Sequence, residues 1–194
     1  MNEPVLALLT LNFAFIGVLP RIFFRSDGRL NARWWATAAP FFVTSIFLLV
    51  AYFAGWDALV PKSWMPTLAT LAVLPCAASI ALIWMTLGTH RIPIALWHQD
   101  NDAPRDIVTH GAYRWIRHPF YASFLCALFA ALVYFPHYVT VAMFGYGLVA
   151  LNLTAAREER RLSGSEFGTE YREYVGRTGR FMPRPGATSR VTAP

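Results

Sequence analysis

Four long stretches of the chain contain no Asp, Glu, Lys or Arg, and the charge is gathered between them. Residues 5–20 are mostly apolar, and Ile22, Phe23 and Phe24 extend that run if Arg21 snorkels to the interface. Residues 34–56 are uncharged, with Trp34 and Trp56 at the two ends, where indole rings favour a membrane–water interface. Residues 63–89 form a third run, with Pro66 near its start and Pro75 at an expected kink. Residues 119–156 form the longest, interrupted only by His137. As one helix that run would measure about 57 Å, almost twice the ~30 Å of a bilayer's hydrocarbon. It must fold back on itself, and Phe135-Pro136-His137 is where it does so, because a mid-helix proline removes a hydrogen bond and collides with the preceding turn. The pattern predicts an all-α integral membrane protein with about five transmembrane helices, near 4–24, 36–56, 65–88, 118–134 and 138–160, and a tail over 161–194. Its length suits one domain over residues 1–194.

Composition agrees with that reading. Hydrophobic residues make up 56% and charged residues 14%, against about 25% charged in an average soluble domain. The N-terminal run has neither a basic leader nor a small-residue cleavage site, so it reads as a retained anchor. Cys76 and Cys126 sit inside apolar stretches and outside any CxxC pair, which marks them as inert packed thiols and gives no metal site. Arginine sets the orientation. Sixteen of the seventeen basic residues follow the first, third or fifth span, and only Lys62 lies on the other side. The positive-inside rule then puts the C-terminus in the cytoplasm and the N-terminus outside, in a multi-pass protein expected in a bacterial inner membrane. The net charge of +6 is accounted for by anionic headgroups, with no nucleic-acid partner required.

Two polar segments, 89–121 and 155–185, fall on the same expected face and can meet. His118-Pro119 opens the fourth span, where proline is preorganised for the first helical turn and the free N–H groups favour an anion. Arg117 adds a planar fork suited to a carboxylate. Glu158 and Glu159 stand at the end of the fifth span, and Tyr113, Trp115 and Tyr121 offer aromatic faces for a base or a cation. Taken singly, each has a plainer reading. Arg114 and Arg117 are ordinary interfacial anchors, Glu158 and Glu159 a solvated helix end with i,i+4 partners, and Tyr171 and Tyr174 a means of docking the tail. Together they suit a zwitterion with an aromatic attachment held beside a bilayer, and S-adenosylmethionine has that description. Gly145-Tyr146-Gly147 lies within an apolar span, so nothing supports a soluble nucleotide-binding fold.

The stretch 111–121, GAYRWIRHPFY, resembles the G-x-Y-x-x-x-R-H-P-x-Y signature of the isoprenylcysteine carboxyl methyltransferase family, a group of integral membrane methyltransferases related to phospholipid N-methyltransferases. Glu158-Glu159, Phe167-Gly168, Glu170-Tyr171, Tyr174, Arg180 and Pro183 resemble that family's tail, so the likeness covers roughly residues 87–185. It implies a cytoplasmic cofactor pocket between the loop before the fourth span and the tail. It implies S-adenosylmethionine as cofactor, lined by Ile107, Val108, Tyr113, His118, Pro119, Phe120, Tyr121 and Glu159, with Gln99 ranked lower. His118, Arg117 and Glu159 are the expected catalytic residues, and the acceptor is a small lipophilic molecule or lipid reached from the bilayer. The family's acceptor-side arginine is here Ala155, and Arg157 stands about 200° around the helix from it, so the acceptor half departs from the pattern. The competing readings are an NADPH-dependent membrane reductase of the sterol reductase type and a non-catalytic small membrane protein. Against the second, the spans carry almost no ionisable residues of the kind that line ion pathways.

Overall fold

The structure is a computed structural model that describes residues 2–18, 23–24, 27–89 and 107–185, apart from the side chains of Val18 and Arg33. Six α-helices follow in order: α1 Glu3–Val18, α2 Ala32–Ala54, α3 Met65–Thr89, α4 Pro119–Tyr134, α5 Tyr138–Ser163 and α6 Gly168–Arg177. Short 3-10 turns at Lys62–Trp64 and Gly111–Arg114 introduce α3 and α4. Among the described residues, extended backbone pairs only at two isolated bridges.

Most boundaries have a local cause. Asn31 caps α2 by accepting from the Trp34 N–H at 3.3 Å. The long apolar run breaks at residues 135–137, where His137 and Thr140 form a reciprocal capping box that starts α5. The first span is shorter than its hydrophobic pattern. Phe23 and Phe24 are not helical: Phe23 O accepts from Asn31 N–H at 2.9 Å and Phe24 bridges to Leu30. The run is apolar to residue 24, but Pro20 lies between the end of α1 and Phe23, and proline cannot continue a helix ladder. The tail, read only as polar, contains α6.

Among the described residues, three helical stretches are long and apolar enough to cross a membrane: Trp34–Ala54, Lys62–Thr89 and Tyr138–Ser163. α1 and α4 are equally apolar but have 16 residues each, about 24 Å at 1.5 Å per residue. For α4 the reason is its position. It touches α1, α2, α3 and α5 and buries most of its surface, so other helices surround it. The outer helices instead turn Leu11, Ile46, Phe53, Leu74 and Trp84 outward, an apolar exterior that water would not tolerate and lipid covers.

Close packing around α4 relies on small residues. A Cβ on Gly147 of α5 would come within 2.5 Å of Leu128 Cδ1, so this glycine lets the two helices approach. Between α1 and α3 the contact is polar: Asn12 donates to Cys76 Sγ at 3.6 Å and Ser79 donates to Asn12 Oδ1 at 3.5 Å, all three buried. With no water at that depth, these groups satisfy one another and fix how α1 sits on α3.

The helices run up and down. Asn2, Tyr52, Met65 and Phe135 share one cavity, which brings together the start of α1, the end of α2, the start of α3 and the end of α4. The start of α4 and the end of α5 therefore lie at the opposite end of the bundle.

Candidate active site

The site begins with the backbone of 111–118. Gly111 has φ +60, and a Cβ there would sit 2.2 Å from Thr89 Oγ1. Only glycine both adopts that conformation freely and lets the turn press on the end of α3. The next residues run alongside the tail: Gly179 N–H donates to Trp115 O at 3.1 Å, Arg117 N–H to Gly179 O at 2.8 Å and His118 N–H to Arg180 O at 3.1 Å. Pro119 then opens α4, whose first turn has no side-chain cap, leaving its leading N–H groups without helical partners.

This pairing puts Arg117, His118 and Arg180 around the end of α5. Arg117 Nε donates to Glu159 Oε1 at 3.0 Å, and its Nη1 to the carbonyls of Val175, at 3.3 Å, and Thr178. Arg180 reaches the same carboxylate from the tail, with Nε on Oε1 at 3.1 Å and Nη2 on Oε2, while its Nη1 donates to Asn152 Oδ1 at 2.6 Å. Asn152 lies two turns before Glu159 on one face of α5, so Arg180 spans the turn that holds Ala155 and Ala156. Ala155 itself is fully buried in the core shared with Phe120, Tyr121 and Phe124. The tie is dry. The side chains of Arg117 and Glu159 are 10% and 12% exposed. The Arg180 guanidinium is held more basic than usual, chiefly by its hydrogen bonds to Glu159.

His118 stands between the two glutamates. Its Nδ1 is 3.5 Å from Glu158 Oε2 and its Nε2 is 3.4 Å from Glu159 Oε1. The Nε2 contact lies off a hydrogen-bonding line, so that buried atom has no hydrogen-bond partner. The imidazole stacks on Tyr121, with centroids 5.3 Å apart and planes 2° from parallel, and Phe181 meets it at 6.3 Å. Glu158 accepts from Tyr121 OH at 2.5 Å and keeps more exposure than its neighbour, 27% against 12%. The tail is sealed from below by Tyr174, whose OH donates to Tyr113 O at 2.6 Å. Burial raises the Tyr113, Tyr171 and Tyr174 phenols above their ordinary range, so all three stay protonated.

The sequence-derived residues are only partly gathered here. Arg117, His118, Glu159, Tyr113, Phe120 and Tyr121 surround the start of α4, with Pro119 buried at its first position. Ile107 and Val108 are half-buried in the segment leading to it, and Gln99 lies outside the described residues. Arg117 and Glu159 spend their polar atoms on each other, on the tail and on Arg180, so they hold the site together. Sequence reasoning offered Glu158 only as one of several groups suited to a zwitterion, and it passed over Arg180, Asn152 and Phe181 as site residues. The Glu158-Glu159 doublet and Arg180 were visible in the tail pattern, but their partners lie too far along the chain for spacing to reveal them.

Residues 68–163, about half of the chain, match the model of the isoprenylcysteine carboxyl methyltransferase (ICMT) family. Those residues form an ICMT-family domain. No curated protein matches the chain. The ICMT match runs from α3 to the end of α5 and takes in Arg117, His118, Glu158 and Glu159, whereas Arg180 and α6 lie beyond it. The ICMT domain and the apolar helices together make this a membrane methyltransferase by family.

The described residues fit S-adenosylmethionine in kind. Glu158 offers a partly exposed carboxylate toward an ammonium. The uncapped first turn of α4 suits a carboxylate, and His118 Nε2, which makes no hydrogen bond, suits a ribose hydroxyl. Tyr113 and Phe181 supply aromatic surface.

Proposed function

We propose that this chain transfers a methyl group from S-adenosylmethionine to a lipophilic acceptor that reaches the start of α4 from the bilayer. What carries the reading is His118: a buried imidazole wedged between two glutamates, its Nε2 facing Glu159 at 3.4 Å outside hydrogen-bonding geometry, inside the ICMT match. The cofactor supplies a cationic methyl donor, and displacement on it depends on alignment and exclusion of water more than on proton shuttling. In this reading Glu158, whose side chain keeps some exposure, orients the donor's ammonium, while Tyr121 holds Oε1 of that carboxylate. His118 Nε2 is the atom that takes a proton from an acceptor that must lose one. Arg117, Glu159 and Arg180 are positioning residues: they fasten the tail against the 115–118 segment and keep the site dry. Ile107 and Val108 extend the cofactor wall. The five long helices cross as five spans with this end in the cytoplasm, as the sixteen-to-one distribution of basic residues supports.

The test is incubation of the purified protein with methyl-labelled S-adenosylmethionine and a membrane lipid extract. A labelled lipophilic product that disappears in His118→Ala is the expected result. Absence of any labelled product, together with NADPH-dependent reduction of a lipid, would overturn the reading in favour of a reductase.

A further inference from the structure

The bundle end opposite the site holds a cavity of about 580 Å³, inside the range of small-molecule pockets, about 300–1,000 Å³. Phe135 lies 24 residues before Glu159, and α5 alone puts on the order of 30 Å between this cavity and the methyl-transfer site. It is a separate place. Much of its lining is apolar, with Ala51 and Phe135 buried and Val60 and Met65 half-buried. Its rim carries charges of both signs: Asp57 and Lys62 both line it and pair at 3.0 Å while 70% and 86% exposed. A pair so exposed gains little from its own contact, so its atoms are free to trade partners. Trp56 lines the same rim, and an indole here marks interfacial depth.

An apolar lining at the end of the helices, with a rim of one carboxylate and one ammonium, matches one kind of occupant. We infer that this cavity is a binding site for a zwitterionic phospholipid bearing a primary amine, with its ammonium on Asp57, its phosphate on Lys62 and the upper part of a chain over Ala51 and Phe135. A net-anionic headgroup would leave Asp57 facing like charge. A quaternary ammonium would have no N–H for the carboxylate. Lys62 is the chain's one lysine and its one basic residue at this end in the five-span reading, so its place on a cavity rim goes beyond general attraction to a charged surface.

The experiment is native mass spectrometry of the full chain, delipidated in detergent and then offered phosphatidylethanolamine, phosphatidylcholine or phosphatidylglycerol. The wild type is expected to keep one phosphatidylethanolamine and to lose the other two readily. Asp57→Asn and Lys62→Gln should each weaken that retention several-fold, and Ala58→Trp, which fills the cavity, should abolish it with the melting temperature unchanged. Equal retention of phosphatidylglycerol, or wild-type retention in Ala58→Trp, would overturn the inference. Methyl transfer is measured on the same samples. Lipid retention lost with transfer intact supports a separate site, and loss of both in Ala58→Trp would show instead that this cavity serves the reaction.

Discussion

The two ends of the bundle both carry an acid–base contact, and they use it in opposite ways. At one end Asp57 and Lys62 meet at 3.0 Å with most of their surface in solvent. At the other, Arg117 and Glu159 meet at the same distance with little exposure, and Arg180 and two tail carbonyls complete the arrangement. The distance is equal and the consequence is not. A solvated pair contributes about 0–1 kcal/mol, whereas removing one member of a dry pair strands the other's charge and costs on the order of 3–5 kcal/mol. The open end can exchange partners with a ligand. The closed end holds the tail in place and excludes water from whatever binds beside His118.

Substitutions test that contrast in descending order of effect. Ala155→Arg should be the most damaging, because a guanidinium would enter a fully buried position in the core between α4 and α5. Overpacking and an unpaired charge together should cost more than about 3 kcal/mol, read as a large fall in melting temperature in detergent. Retention of wild-type stability would mean that the Ala155 position opens to solvent or lipid. Glu159→Gln comes next. It leaves Arg117 and Arg180 facing each other without the charge, at about 3 kcal/mol because the amide oxygen still accepts, and limited proteolysis should then cut beyond Ser163 where the wild type resists.

That second expectation shows where sequence reading stops. Five hydrophobic helices, the break at Pro136 and the meeting of the 111–121 segment with the tail were all legible, because hydrophobic runs, proline and a fixed motif leave local marks. The end of α1 was not, since Phe23 and Phe24 look as apolar in an extended segment as in a helix. Glu158 and Glu159 suggested intrahelical i,i+4 pairs. Their real partners come from elsewhere: His118 and Tyr121 on Glu158, and Arg117, His118 and Arg180 on Glu159. Arg180 is 21 residues from Glu159 and 28 from Asn152, and no periodicity relates them. The same blindness hid α6: Tyr171 and Tyr174 read as docking the tail, but nothing in the polar run showed that they would be buried on one short helix.

Smaller effects sharpen the picture. Arg117→Lys keeps the charge but loses the planar fork that serves Glu159 and the tail together. It should cost about 1–2 kcal/mol and speed cleavage of the tail without unfolding the bundle. Tyr174→Phe removes only the hydrogen bond to Tyr113 O, about 1 kcal/mol, with a matching modest rise in cleavage. Asp57→Asn, at the open end, should shift the melting temperature least, within the ~0–1 kcal/mol of a solvated pair. A drop as large as that of Glu159→Gln would erase the difference between the two ends.

The central claim is that the closed end receives a methyl-donor cofactor, and calorimetric titration of the detergent-solubilised wild type addresses it most directly. With S-adenosylmethionine or its demethylated product, the account predicts binding in the micromolar range that is lost in His118→Ala, and no comparable heat with NADPH. Binding of NADPH alone, or wild-type binding of S-adenosylmethionine in His118→Ala, would contradict it.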